Sequence, residues 1–103
     1  MLKVVLTSRA DASLADIVDY YPMEHSASRA QKVIQSLDEA FEKIAKRPFS
    51  FPVNFDLILP QENIRQIIVH NTFKVIYRVE AGEIQIIEIF HGRRNERLLK
   101  NIK

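Results

Sequence analysis

The most regular pattern along the chain lies in residues 64–95, where three short apolar runs are separated by turn-forming residues. Val, Ile, Phe and Tyr dominate these runs, and such side chains suit the pleated, half-buried surface of a β-sheet. Apolar side chains occupy every second position from Phe73 to Val79, which indicates a strand with one face in the core. The pattern predicts an antiparallel three-stranded meander with hairpin turns at residues 71–72 and 81–82.

The last of these runs, residues 83–91, breaks the alternation. Ile84 and Ile86 would lie on one face of the strand, and Ile87 and Ile89 on the other. Two interpretations remain, a β-bulge at residues 86–87 or a central strand that is buried on both faces. We expect the central position, because residues 64–68 show a similar two-faced pattern.

The first half of the chain has helical periodicity. A short β-type run at residues 3–7 precedes an amphipathic helix over about residues 9–21, which Ser8 and Asp11 open as a capping box and which Pro22 ends or kinks. A second amphipathic helix begins near Ser26 or Ser28 and reaches about residue 46. Two helices with a short connection predict a helical hairpin that lays its apolar stripe on one face of the sheet.

The hairpin leaves the other face of the sheet to be covered by something else. Candidates are the apolar segment 47–63, a C-terminal segment that includes a short helix near residues 94–102, or a partner chain. For segment 47–63, we favour a loop whose aromatic side chains close the open end of the core, and the alternative is a docking groove for a partner. The fold class is therefore α+β, with order β-α-α-β-β-β, in a single domain of residues 1–103.

The amino-acid composition excludes several kinds of functional site. With no cysteine there is no disulfide, thiolate zinc site or thiol nucleophile, and two glycines exclude Gly-rich nucleotide loops. The three histidines have no ligand spacing to one another, so we expect no metal and no cofactor. The N-terminal apolar run is too short for a signal-peptide core or a membrane span. We expect a cytoplasmic protein without a membrane partner.

Positive charge is concentrated at the end of the chain. Residues 93–103 carry five basic side chains and one acidic one, a net charge of +4, whereas the whole chain has +2. The candidate target-binding residues are in this region: His91, Arg93, Arg94, Asn95 and Arg97. Guanidinium groups suit phosphate or carboxylate partners.

Two further residues bear on this cluster. Arg65, another candidate, begins the meander and should lie at the opposite end of the sheet, because the first and third strands of a meander run parallel. His91 is the evident acid–base candidate, and the alternative is a strand-end imidazole bonded to the backbone.

The order of these elements resembles the RelE/ParE superfamily of type II toxins, especially its ParE-like branch. The matching stretches are Ile64-Arg65, Ile76-Tyr77-Arg78-Val79, Ile87 to Asn95, Asp16 to Tyr21, and Pro48-Phe49-Ser50-Phe51-Pro52. The resemblance implies the toxin of a type II toxin–antitoxin, or plasmid stabilization, system that a cognate antitoxin neutralises. It is compatible with a homodimer or a heterotetramer with the antitoxin.

The two branches imply different targets. A ParE-like toxin is expected to poison DNA gyrase by binding, without catalysis. A RelE-like toxin would be a ribosome-dependent mRNA endoribonuclease, with His91, Arg93 and Lys74 as its catalytic residues. Because no Tyr follows Tyr77 and Val69 stands at a position expected to be basic, we favour the non-enzymatic branch. A binding module that has lost toxicity is the third interpretation. We place the antitoxin on the helical hairpin and the uncovered sheet face.

Overall fold

The computed structural model describes residues 2–24, 26–53, 64–70 and 72–91. Its elements are β1 (Lys3–Leu6), α1 (Ser8–Glu24), α2 (Ala27–Lys46), β2 (Arg65–Val69), β3 (Phe73–Glu80) and β4 (Glu83–His91). The predicted α+β class and element order are confirmed. Neither helix in these ranges combines the length and the apolar character needed to cross a membrane.

The four strands form one sheet in the order β1-β4-β3-β2. β2, β3 and β4 pair antiparallel as a meander, and β1 joins β4 in parallel after the chain crosses over through both helices. β4 is therefore central between β1 and β3, as expected. Its turn with β3 has positive φ angles at Ala81 and Gly82, which match the backbone of a tight two-residue hairpin.

The alternative interpretation of β4, a bulge, is also correct. Ile76 pairs with Glu88 while the next residue, Tyr77, pairs with Ile86, so Ile87 is an extra residue on β4. The bulge shifts the alternation by one position. Ile89 consequently lies in the same core cluster as Ile86, on the helix-facing side, and the expectation that Ile89 shares a face with Ile87 is wrong.

The helix termini differ slightly from the predicted ones. α1 is capped by Thr7, one residue earlier than expected, because the Ala10 N–H donates to the Thr7 Oγ1 at 3.1 Å. The helix also continues two residues past Pro22, to Glu24, although the sequence predicts that this proline ends or kinks it. α2 begins after Ser26, whose hydroxyl accepts the Arg29 N–H at 3.2 Å, as predicted.

The main core lies between the helices and one face of the sheet. It contains the buried residues Ala10, Ile17, Ala30, Val33, Leu37, Ala40, Ile44, Val69, Phe73, Val75, Tyr77, Ile84, Ile86 and Ile89. The stripe of α2 thus lies where its periodicity predicts. Burial of each large aliphatic side chain contributes roughly 1.5–3 kcal/mol.

Part of the second face of the sheet is buried. Ile64, Ile76, Ile87 and Phe90 form a second cluster there and are at most 7% exposed. The expectation of an uncovered apolar face for a partner is therefore wrong for these four residues. The large apolar side chains that are exposed in the described ranges are Val18, Phe49 and Ile68.

Candidate functional site

His91 ends β4 and its ring stacks on Phe73. The two ring centroids are 4.8 Å apart, with an angle of 24° between the ring planes. Phe73 is the cross-strand partner of His91 and is fully buried in the main core. The imidazole therefore lies on the helix-facing side of the sheet, against an aromatic ring, rather than as a fully solvated group beyond the strand.

Lys74, the second residue assigned to ribonuclease activity, lies on the other side of the sheet. It pairs with Phe90, one position along the ladder from the pair formed by Phe73 and His91. Because successive side chains of a strand point to opposite faces, the ladder separates Lys74 from His91 by the thickness of the sheet. The structure does not bring these two candidate catalytic groups together.

The other residues of the basic cluster, Arg93, Arg94, Asn95 and Arg97, lie outside the described residues, as does the predicted final helix. Their assignment to target binding stays a prediction. Of this cluster, the structure describes His91 alone, which is the last residue of β4.

Arg65 lies far from His91. It pairs with Tyr77, whereas His91 pairs with Phe73, four residues away along β3, which is roughly 13 Å at about 3.3 Å per residue. The predicted placement of Arg65 and His91 at different ends of the sheet agrees with this register.

The guanidinium of Arg65 is used within the chain. Its Nη1 donates to the carbonyls of Phe51 at 2.7 Å and Phe49 at 3.4 Å, and its Cζ lies 5.3 Å from the centroid of the Phe49 ring. These contacts fasten the chain after α2 to the sheet. They give Arg65 a structural role.

Tyr77 fastens the same segment from β3. Its hydroxyl donates to the Pro48 carbonyl at 2.6 Å. Burial raises the pKa of Tyr77 to about 12, and the positive charge of Arg65 opposes this shift. Tyr77 is consequently a neutral hydrogen-bond donor at physiological pH.

A buried carboxylate at the edge of β4 escaped the sequence analysis. The Glu88 carboxylate accepts hydrogen bonds from the Ser13 hydroxyl and from the Ile89 N–H, the latter at 2.8 Å, and lies 3.8 Å from the Arg9 guanidinium. The sequence does contain a signal for this site. Glu88 is the one acidic residue inside the apolar run IQIIEIF, and a charge in a buried strand needs hydrogen-bond or ion-pair partners.

The position of this carboxylate explains its partners. β1 pairs with β4 only as far as Leu6 and Ile86, so no strand of the described residues lies beside the next part of this β4 edge. Thr7 takes up one backbone group there, donating its hydroxyl to the Ile87 carbonyl at 2.8 Å, and Glu88 takes up the Ile89 N–H. These two hydrogen bonds satisfy backbone groups of β4 that would otherwise be unpaired at the strand edge.

The turn between β2 and β3 is attached to α2 through a histidine. His70 has a φ of 55°, and its Nε2 lies 2.6 Å from the Ser36 Oγ, within hydrogen-bond distance. A cleft of about 370 Å³ adjoins this turn and is lined by Ser28, Arg29, Lys32, Val33, His70 and Thr72. The cleft is polar, and its two cations come from the first turns of α2.

A second cavity, which we call the α2 terminal pocket, lies at the other end of this helix. Its volume is about 440 Å³ and its walls are Lys43, Lys46, Arg47, Ser50 and Phe51. Phe51 packs against the main core, as expected for a loop that closes it. Phe49, in contrast, is 62% exposed and does not line the pocket. The packing of Phe51 agrees with the favoured interpretation, a loop that closes the core, and the docking groove stays a prediction.

These features show no assembled catalytic centre in the described ranges. No group of three or more His, Asp or Glu side chains there is arranged to hold a metal ion. The acid–base candidates are separated or used in packing, and what the surface offers is cationic patches next to apolar ones.

Comparisons with known proteins connect this architecture to a family. Residues 4–96 match the family model for the ParE toxin of type II toxin-antitoxin system, parDE. Comparison with curated proteins gives no match. Among solved structures, a chain of the chromosomal ParDE TA system from P. aeruginosa is similar, with a TM-score of 0.69, 22% identity, and coverage of 90% of this chain and 98% of that chain. At this identity the structural likeness supports the fold, and the family match, which spans most of the sequence, shows that the chain belongs to the ParE toxin family of type II toxin–antitoxin systems.

Proposed function

We propose that this ParE-family toxin arrests growth by binding DNA gyrase, without catalysis, and that a cognate antitoxin neutralises it. The observation that carries the non-catalytic part is the register of β3 and β4. It puts Lys74 and His91 on opposite faces of the sheet, whereas acid–base cleavage needs both groups within reach of one substrate. The proposal places the protein in the cytoplasm, the compartment of chromosomal DNA.

The basic cluster that follows β4 is the proposed gyrase contact. Its members are His91, Arg93, Arg94, Asn95 and Arg97. A local net charge of +4 in residues 93–103 supports this, since a concentrated charge of one sign raises the rate of encounter with an anionic surface. Arg65 is not part of this contact, because its guanidinium is engaged with the Phe49 and Phe51 carbonyls.

The antitoxin is proposed to bind the helical hairpin. The similar P. aeruginosa structure is of a ParDE toxin–antitoxin system, which supports a partner of that kind. On α1 the outward-facing Val18 is 43% exposed, so the hairpin offers an apolar side chain to a partner. The second sheet face is no longer the favoured location, because its central residues are already buried. Either a homodimer or a heterotetramer with the antitoxin fits this arrangement.

The test is inducible expression of the toxin, alone and with the product of the neighbouring reading frame. We expect growth arrest with a DNA damage response, gyrase subunits that co-purify with a tagged toxin, and suppression of all three by the neighbouring product. Light scattering of the purified complex would give its stoichiometry.

Two results would contradict the proposal in different ways. Cleaved mRNA on programmed ribosomes, with normal DNA supercoiling, would favour the ribonuclease interpretation. Folded protein in a strain that grows at the normal rate would favour a binding module without toxicity.

A further inference from the structure

We propose that the α2 terminal pocket is a docking site for a short peptide segment that presents one large apolar side chain flanked by carboxylates. The proposal deepens the function proposed above and rests on it, because it assigns this segment to the antitoxin. It gives the partner a chemical description that the family does not supply.

The pocket is formed by the last turn of α2 and the chain that follows it. The helix ends at Lys46, the Ser50 N–H donates to the Arg47 carbonyl at 3.2 Å, and this turn brings Phe51 back against the core. The result is a concave site between the last helical turn and the following segment. Its volume of about 440 Å³ suits a large apolar side chain, and Phe51 supplies an apolar wall.

An exposed apolar side chain, Phe49, precedes the pocket residues Ser50 and Phe51 in the chain. It is the most exposed large apolar side chain in the described ranges, at 62%. The Arg65 guanidinium lies over this ring, 5.3 Å from its centroid, and donates to the Phe49 carbonyl. Exposed aromatic side chains are common among the anchor residues of protein interfaces.

The rim of the pocket is cationic. Lys43, Lys46 and Arg47, on the last turn and C-cap of α2, line it and are exposed. Lys46 pairs with Glu42 at 3.1 Å, whereas Lys43 and Arg47 have no carboxylate partner among the residues that the structure describes. Cations near the end of a helix offset its free carbonyls, but that role does not require an apolar wall between them.

Charge and shape together select the occupant. The apolar wall favours an apolar side chain, and the two cations without a described carboxylate partner favour carboxylates next to it. A nucleic acid strand fits less well, because Lys46 at the rim is already paired with the Glu42 carboxylate and because one face of the Phe49 ring is already covered by Arg65. We therefore choose a peptide over a polyanion.

The test uses a synthetic probe and the full chain. The probe is an acetylated pentapeptide with one phenylalanine between two pairs of glutamates, and amide chemical shifts of the ¹⁵N-labelled toxin report where it binds. We expect shifts confined to the last turn of α2 and residues 47–51. Peptides with alanine in place of phenylalanine, or with glutamines in place of the glutamates, should bind more weakly.

Matched variants distinguish binding of the probe in the pocket from nonspecific attraction between the acidic probe and basic residues of the toxin. The double variant Lys43→Gln, Arg47→Gln should weaken binding of the probe by about fivefold, the effect of losing two exposed ion pairs. Lys32→Gln, at an exposed position of α2 that does not line this pocket, should leave it unchanged. Equal losses in both variants, or equal binding of the glutamine peptide, would overturn the proposal.

The purified complex of the toxin with its antitoxin identifies the occupant. If the antitoxin fills the pocket, the complex should not bind the probe. Probe binding to the complex with undiminished affinity would refute this assignment, and tighter binding of a single-stranded oligonucleotide at residues 47–51 would replace the peptide by nucleic acid. Growth arrest and its suppression, measured separately, show whether the proposed function stands when this pocket assignment fails.

Discussion

Arg65 and Tyr77 are cross-strand partners on β2 and β3, and both donate hydrogen bonds to carbonyls of one short segment, residues 48–51. This pair fastens the chain that leaves α2 to β2 and β3. The bond to the Phe51 carbonyl also attaches a residue that lines the α2 terminal pocket. An arginine that the sequence offers as a candidate for binding thus serves to position a different surface.

Removing the Tyr77 hydroxyl should destabilise the fold without changing its shape. Tyr77→Phe keeps the buried ring but leaves the Pro48 carbonyl without its donor, so the free energy of unfolding should fall by about 1–3 kcal/mol. Urea denaturation followed by circular dichroism measures this change. An unchanged midpoint would show that water replaces the hydroxyl at no cost.

The same tyrosine predicts a loss of stability at high pH. Folding raises the pKa of Tyr77 from 10.0 to about 12, so the unfolded chain releases this proton first. The stabilisation is fully present below about pH 10 and declines as the pH rises towards 12. Comparison of wild type with Tyr77→Phe from pH 8 to 12 isolates this contribution, and parallel pH profiles would contradict it.

Substitution of Arg65 should loosen the segment after α2 rather than weaken target binding. Arg65→Gln loses the charged hydrogen bonds to Phe49 and Phe51 and the contact with the Phe49 ring, which should cost about 2 kcal/mol. Hydrogen exchange of residues 49–53 should become faster. Gyrase binding should be retained, and its loss in a folded variant would return Arg65 to the candidate contact surface.

Two substitutions at Glu88 should separate hydrogen bonding from charge. Glu88→Gln keeps an oxygen for the Ser13 hydroxyl and the Ile89 N–H, and loses only a long ion pair with a half-exposed Arg9, so we expect a change below about 1 kcal/mol. Glu88→Ala leaves both donors unpaired and should cost about 2–4 kcal/mol. Thermal unfolding shows which of the two variants loses more stability. Equal losses of stability would assign the effect to the charge of Glu88.

Charge reversal in the basic cluster should abolish toxicity and spare the fold. The double variant Arg93→Glu, Arg94→Glu turns an attractive surface into a repulsive one for an anionic partner. We expect a melting temperature close to that of the wild type and normal growth on induction. Lys32→Glu, an exposed substitution elsewhere, is the control and should remain toxic. A large fall in melting temperature would instead show that these arginines stabilise the fold.

Much of this protein follows from its sequence. Alternation in β3 and the helical stripe of α2 are local patterns, and each fixes an element and its buried side because hydrophobic periodicity reports the geometry of a single strand or helix. The order of these elements, with the short motifs between them, also identified the ParE-like family. Phe51 was correctly expected to close the core, since a large aromatic ring in a proline-rich segment is more stable when it is buried.

The tertiary structure decided the relations between elements. The pairing of β1 with β4, the closure of the second sheet face and the separation of His91 from Lys74 all depend on partners distant in the chain. One extra residue, Ile87, illustrates why. A bulge forms only when two strands pair, and its shift by one position turns Ile89 and His91 towards the helices. The local periodicity shows that the alternation breaks in this strand. The face on which each later side chain lies is set by how the strands of the whole sheet pair.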